Sequence, residues 1–227
     1  MNLRKEEIKR ALDDVELRIQ NAVKSVGRER EEITLIAVTK TYPASDVAIL
    51  HELGVADFGE NREDEGREKS SQVLGTWHFQ GQIQSNKIAG IARWANVVHS
   101  LDNSKHLDKF DSSLSAEKIL SVFLQVSLDG QSNRGGVLPE NLEALAMSVI
   151  NSSHLKLVGI MAVAPLKENP RDAFSRLAQI HHDFRYKFPS APNLSAGMSN
   201  DFEEAIAHGA THIRIGSSIL GVRSPQR

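Results

Sequence analysis

The residue in this sequence best placed for covalent chemistry is Lys40, which closes the apolar run ITLIAVTK (33–40). Alternation along an extended chain puts Ile36, Val38 and Lys40 on one face. If that face lines a barrel interior, the amine sits at the rim of an apolar tube. Desolvation there lowers a lysine pKa and frees a nucleophile, whose natural partner is a carbonyl group. The competing reading is a lysine on a solvent-exposed loop, neutralised by Glu60 or by nothing.

A second group of residues lies near the end of the chain. LSAGMSND (194–201) sets Gly197, Ser199 and Asn200 ahead of a helix, and RIGSS (214–218) ends a strand in Gly216, Ser217 and Ser218. Glycine lets backbone approach a ligand, and hydroxyls with free N–H groups at helix starts favour an anion. In barrels, phosphate commonly binds after strands seven and eight. Serine-capped helix starts with glycine turns are the plainer alternative. Arg214 shares its face with His212 and points inwards, where a guanidinium needs either a protein carboxylate or a ligand acceptor. His78, between Trp77 and Phe79, is either an acid–base group or a histidine held by core hydrogen bonds. His181 and His182 read as helix surface.

The elements that must position these groups alternate along the chain. Ile8, Leu12, Val15, Ile19, Ala22 and Val26 form one apolar stripe over 3–27, which predicts an N-terminal helix. Strands are predicted at 33–40, 55–61, 76–79, 95–100, 119–127, 154–160, 192–194 and 211–215. Helices are predicted between them, near 45–53, 62–73, 84–93, 103–117, 139–149, 170–187 and 201–208, and a short one from Ser217. Parallel strands need such crossovers. A closed (β/α)8 barrel and an open doubly wound sheet both satisfy the pattern, although barrels more often run to ~250 residues. No strand leads into GxGxxG, which removes the usual mark of a dinucleotide fold.

The 227 residues are read as one domain, 1–227, with 40% apolar and 25% charged residues and a formal net charge of -2. That charge provides no field to gather nucleic acid or an anionic membrane. There are no cysteines, which excludes disulfides, thiolate metal sites and a cysteine nucleophile. No Asp/Glu/His set has metal-site spacing, and neither HExxH nor GxSxG is present. The start of the chain lacks the apolar core of a signal peptide, and no apolar run is long enough to span a bilayer. A cytoplasmic protein is expected.

Several long stretches together resemble the pyridoxal phosphate homeostasis protein family: AVTKTYP (37–43), FGEN (58–61), WHFQGQIQSNK (77–87), HSLD (99–102), GIMAVAP (159–165) and LSAGMSNDFEEAIAHGATHIRIGSSILGVR (194–223). The resemblance implies a (β/α)8 TIM barrel of fold-type III with an extra N-terminal helix, related to the barrel domain of alanine racemase. It implies pyridoxal 5'-phosphate (PLP) bound as a Schiff base on Lys40. It further implies a phosphate held by Ser199, Gly216 and Ser217, Arg214 facing the pyridine nitrogen, and Asn61 and Met161 lining the pocket. His78 and Ser195 are weaker candidates near the cofactor. The sequence departs from the family pattern at Thr39, Gln80, Ala196 and Ser217. It departs also in the loop DGQSNRGG (129–136), where Asn133 and Arg134 stand in for a lysine-containing segment.

Arg214 would leave the ring a weak electron sink, and the tyrosine base of alanine racemase has no counterpart; of the two tyrosines here, Tyr42 reads as a pocket wall and Tyr186 as a helix residue. The expected role is therefore non-catalytic: holding, buffering or delivering PLP, with PLP-dependent apoenzymes as recipients. A weak amino-acid racemase and a cofactor-free phosphate-binding barrel are the alternatives. The resemblance leans towards a monomer and leaves a weak dimer open.

Overall fold

In the computed structural model, which describes residues 3–131 and 134–221, strands and helices alternate strictly. The order is α1 (Leu3–Ser25), β1 (Thr34–Val38), α2 (Ala44–Glu52), β2 (Asp57–Glu60), α3 (Glu63–Ser70), β3 (Thr76–Phe79), α4 (Ile88–Trp94), β4 (Val97–Leu101), α5 (Ser104–Ser113), β5 (Leu120–Gln125), α6 (Leu142–Ile150), β6 (Leu155–Met161), α7 (Pro170–Lys187), β7 (Asn193–Met198), α8 (Phe202–Ala207), β8 (His212–Ile215) and α9 (Ser217–Leu220). All eight strands are parallel and pair in chain order. β8 returns to β1 with Ile36 opposite Arg214, so the sheet is a closed barrel and not the open alternative.

The strands are short apolar runs because both of their faces are covered. In β1, Leu35, Ile36, Ala37 and Val38 are all buried. The main apolar cluster lies between the strands and the helical ring, with Phe58, Trp77, Val98 and Ile213 among its members. Ile36, Val38, Phe123 and Met161 are buried but stand apart from that cluster. They share the barrel interior with His78, His99, Ser195 and Arg214, which are also buried.

α1 packs on α2, α8 and α9 and so covers the seam where β8 meets β1. Its buried stripe is Ile8, Leu12, Val15, Ile19, Ala22 and Val23. Val26 is 39% exposed, because the helix ends at Ser25 and Gly27 turns away at φ +67, a left-handed conformation that glycine adopts without strain. Other boundaries differ from the sequence reading too: α4 begins at Ile88 and α5 ends at Ser113, each about a turn short of the predicted range. β1 stops at Val38, two residues short of Lys40. β7 continues to Met198, through small residues that carry no apolar signal. Pro139 opens a 3-10 turn, Pro139–Asn141, before α6 begins at Leu142.

Candidate functional site

Lys40 lies in the turn after β1 and is exposed, which corrects the expectation of a desolvated amine at the end of a strand. The turn itself is tied down on both sides of Lys40. Lys69, on α3 and 4% exposed, donates to the Thr39 carbonyl at 2.9 Å, to Glu60 Oε1 at 2.7 Å and to Glu65 Oε2 at 3.0 Å. The Thr39 hydroxyl donates to the same Glu60 oxygen at 2.6 Å, and the Thr41 N–H donates to Glu65 Oε2 at 2.7 Å. Thr41 has φ +67, uncommon for a β-branched residue, and the Glu65 contact holds it there. Glu60 therefore serves Lys69 and Thr39 and makes no ion pair with Lys40. Burial raises the Glu60 carboxyl above the usual range, against the opposing pull of Lys69 and Thr39. At Glu65 burial also acts upwards, but the Thr41 N–H and Lys69 together hold it below that range.

One cavity of about 620 Å³ at the C-terminal end of the barrel is lined by Lys40, Asn61, Met161, Ser199, Arg214, Gly216 and Ser217. These seven residues come from the ends of β1, β2, β6, β7 and β8, which is where barrels place ligands. The turns after β7 and β8 meet through the Ser218 N–H, which donates to Ser199 Oγ at 3.4 Å. A Cβ at Gly216 would stand 3.2 Å from the Val38 carbonyl, so glycine keeps the β8 turn close to β1. Gly81 supports Asn61 in the same way: a Cβ there would lie 2.0 Å from the Asn61 carbonyl. Gln80 also lines the cavity, and its Nε2 is buried with no hydrogen-bond partner among the described residues.

Arg214 is 5% exposed. Its Nη1 donates to Ser195 Oγ at 2.8 Å and its Nη2 to the Ala162 carbonyl at 3.0 Å. The partners inside the protein are thus a hydroxyl and a carbonyl; the protein carboxylate weighed from the sequence makes no hydrogen bond to it. Burial lowers its pKa to about 10, against the attraction of Asp201, so the guanidinium still carries its charge at neutral pH.

His78 and Ser195 do not line the cavity. His78 donates or accepts between His99, at 2.8 Å, and Asp57, at 3.0 Å. Ser195 joins His99, at 2.9 Å, to Arg214. His99 is fully buried inside the barrel. His181 is likewise buried, at 5% exposure, with Nε2 at 3.0 Å from the Pro192 carbonyl, while His182 is exposed. Arg134 is held by Asp129 at 2.9 Å and by the Ala164 carbonyl at 2.9 Å; Asn133 lies outside the described residues. Tyr42 Oη donates to the Gly221 carbonyl and Tyr186 is 88% exposed, so neither tyrosine lines the cavity. Among the described residues no group of three or more His, Cys, Asp or Glu could hold a metal ion, and no helix is long and apolar enough to cross a membrane.

Fold and cavity define a class of protein: closed parallel barrels with a lysine after the first strand and an arginine on the last facing a shared cavity. The sequence profile of the alanine racemase N-terminal domain family matches residues 12–224. A pyridoxal phosphate homeostasis protein of Mycobacterium bovis is 40% identical, over 97% of this chain and 94% of its own length. The structure of PipY from Synechococcus elongatus with PLP bound superposes with a TM-score of 0.77 at 28% identity, covering 89% of this chain and all of that one. A protein of unknown function from Bifidobacterium adolescentis superposes at 0.88 with 26% identity, covering 96% of both chains. The chain belongs to the pyridoxal phosphate homeostasis protein family, within the larger group that shares the alanine racemase N-terminal domain.

Proposed function

We propose that this protein binds PLP in the cavity at the C-terminal end of the barrel, linked to Lys40 as a Schiff base. It would buffer the cofactor in the cytoplasm or deliver it to PLP-dependent apoenzymes. The observation that carries this reading is the convergence of an amine, a buried cation and a serine–glycine turn on one cavity. Its volume falls within the ~300–1,000 Å³ typical of small-molecule sites. PLP presents an aldehyde, a phosphate and a ring nitrogen, and the cavity has a group for each. Lys40 adds its amine to the aldehyde with loss of water. Ser199, Gly216 and Ser217 hold the phosphate, Arg214 faces the ring nitrogen, and Asn61 and Met161 line the ring.

The exposure of Lys40 suits a carrier. With PLP bound there, an exposed Lys40 would leave the link open to exchange with a second amine, Lys40 recovering its own amine as the cofactor leaves. Catalysis is less well served. A guanidinium retains its protons, so Arg214 would discourage protonation of a ring nitrogen placed against it, and the ring would withdraw electrons weakly. Racemisation needs a base on each face of the reacting carbon, and neither tyrosine reaches the cavity.

Titration with PLP tests the reading. The wild-type protein should gain a visible absorbance band that Lys40→Ala lacks. A band of equal strength in the variant, or none in the wild type, would overturn it. Incubation with L-amino acids in D2O should give no exchange at Cα at turnover rates; rapid exchange would favour an enzyme.

A further inference from the structure

Four hydrogen bonds run through the barrel interior from Asp57 to Arg214. His78 Nε2 lies 3.0 Å from Asp57 Oδ1, His78 Nδ1 lies 2.8 Å from His99 Nε2, and His99 Nδ1 lies 2.9 Å from Ser195 Oγ. Arg214 Nη1 completes the chain at 2.8 Å from the same Ser195 oxygen. The five residues belong to β2, β3, β4, β7 and β8. Asp57 is the first residue of β2, at the rim opposite the cavity, with 26% of its side chain exposed; His78, His99, Ser195 and Arg214 are buried.

The chemistry of the two ends fixes the direction of the chain. A guanidinium only donates and a carboxylate only accepts. Ser195 Oγ therefore accepts from Arg214 and has its own proton to give. At the far end, His78 Nε2 must carry a proton to meet Asp57. A neutral His78 then has a bare Nδ1, which accepts from His99 Nε2–H. That leaves His99 Nδ1 bare to accept the Ser195 hydroxyl. Each group is satisfied once, with every donor turned towards Asp57. A doubly protonated His78 would reverse His99 and deprive the Ser195 hydroxyl of its acceptor in the chain. Burial, then the neighbouring His78, Arg214 and His212, hold His99 well below the ordinary imidazole value, which keeps it neutral. Its ring is also fixed in place, stacked on Phe123 at 4.4 Å between centroids.

We propose that Asp57 is a positioning residue for Arg214, acting across the barrel by setting the tautomers of His78 and His99 and the orientation of the Ser195 hydroxyl. The cation at the cavity is thus oriented from the opposite rim. The relay belongs to the protein alone. Its consequence for a bound ring nitrogen rests on the function proposed above.

Two-bond 1H–15N correlation spectra of the 15N-labelled protein without ligand test the proposal. In the wild type, His78 and His99 should both show the neutral Nε2–H form. An Nδ1–H form or a doubly protonated ring at either position would overturn it. Asp57→Asn, whose amide can donate or accept, should abolish the single-tautomer pattern at both histidines and broaden the Arg214 guanidinium signals. Ser195→Ala should broaden the Arg214 signals but leave both tautomers as they were, because Asp57 still sets them. Unchanged tautomers in Asp57→Asn, or reversed ones in Ser195→Ala, would contradict the proposal. If Asp57→Asn does not fold, the wild-type and Ser195→Ala spectra decide. Failure to bind PLP would sink the proposed function and leave these spectra untouched.

Discussion

Removing the Lys69 cation would strand two buried or half-buried carboxylates beneath the turn that presents Lys40. Breaking a buried ion pair on one side generally costs about 3–5 kcal/mol, since the remaining charge is left without compensation. Lys69→Met should therefore lower stability by roughly that amount in urea unfolding, and it should slow the reaction of Lys40 with an aldehyde. A loss below about 1 kcal/mol, the worth of an exposed pair, would contradict the bracing role. Lys40 was legible in the sequence because a lysine closing an apolar run is chemically conspicuous. Its exposure stood only as the competing reading, because nothing in the sequence shows that the strand ends two residues earlier or that Thr41 takes a left-handed conformation against Glu65. Lys69 was hidden among the charges of EDEGREKS; nothing in that run tells which side chain turns inward. His181 was missed because neighbouring helix positions face different ways, and only its partner His182 points to solvent.

α3 shows how closely an element has to fit for the site to form. Its two buried residues are Gly66 and Lys69. Alanine in a helix interior ordinarily gains about 1 kcal/mol over glycine. At Gly66 the sign should reverse, because an added Cβ would lie 2.2 Å from the buried ring of Trp94. Overpacking of this kind costs roughly 1–3 kcal/mol. Gly66→Ala is thus expected to lower the thermal midpoint, and a rise would show that the ring moves aside freely. Helices and strands themselves were largely readable from apolar periodicity, and 170–187 and 76–79 coincide with α7 and β3. Among the boundaries that failed are those where small or polar residues extend a strand, as in β7, or where a turn interrupts it, as after β1, and helix ends such as the start of α4 and the end of α5.

The whole molecule carries a pH dependence set by its buried histidines. Burial is the leading cause in each case: it takes His181 and His212 to about 4 and His99 well below 6.5. A histidine depressed in the folded state binds its proton more readily when unfolded. Their contribution to stability is therefore complete above pH 6.5 and falls as pH drops towards 4. For His181 the shift corresponds to roughly 3 kcal/mol at the acid end. Urea unfolding between pH 7.5 and 4.5 should show that decline, and His181→Gln, which keeps a donor for the Pro192 carbonyl but does not titrate, should make it shallower. An unchanged slope would place the titration elsewhere. At this scale the sequence predicted alternating elements but left closure open, and with it everything that depends on closure. Period-two alternation can turn His78, Ser195 and Arg214 inward; only a closed ring brings β3, β4, β7 and β8 close enough for a hydrogen-bond chain to cross it.

The proposed function depends on covalent attachment of PLP at one lysine. Borohydride reduction of the PLP-loaded protein, followed by peptide mass spectrometry, addresses it most directly. A pyridoxyl group is expected on the peptide containing Lys40 and on no other. A reduced adduct spread over surface lysines, or placed on a different single lysine with Lys40 unmodified, would contradict it.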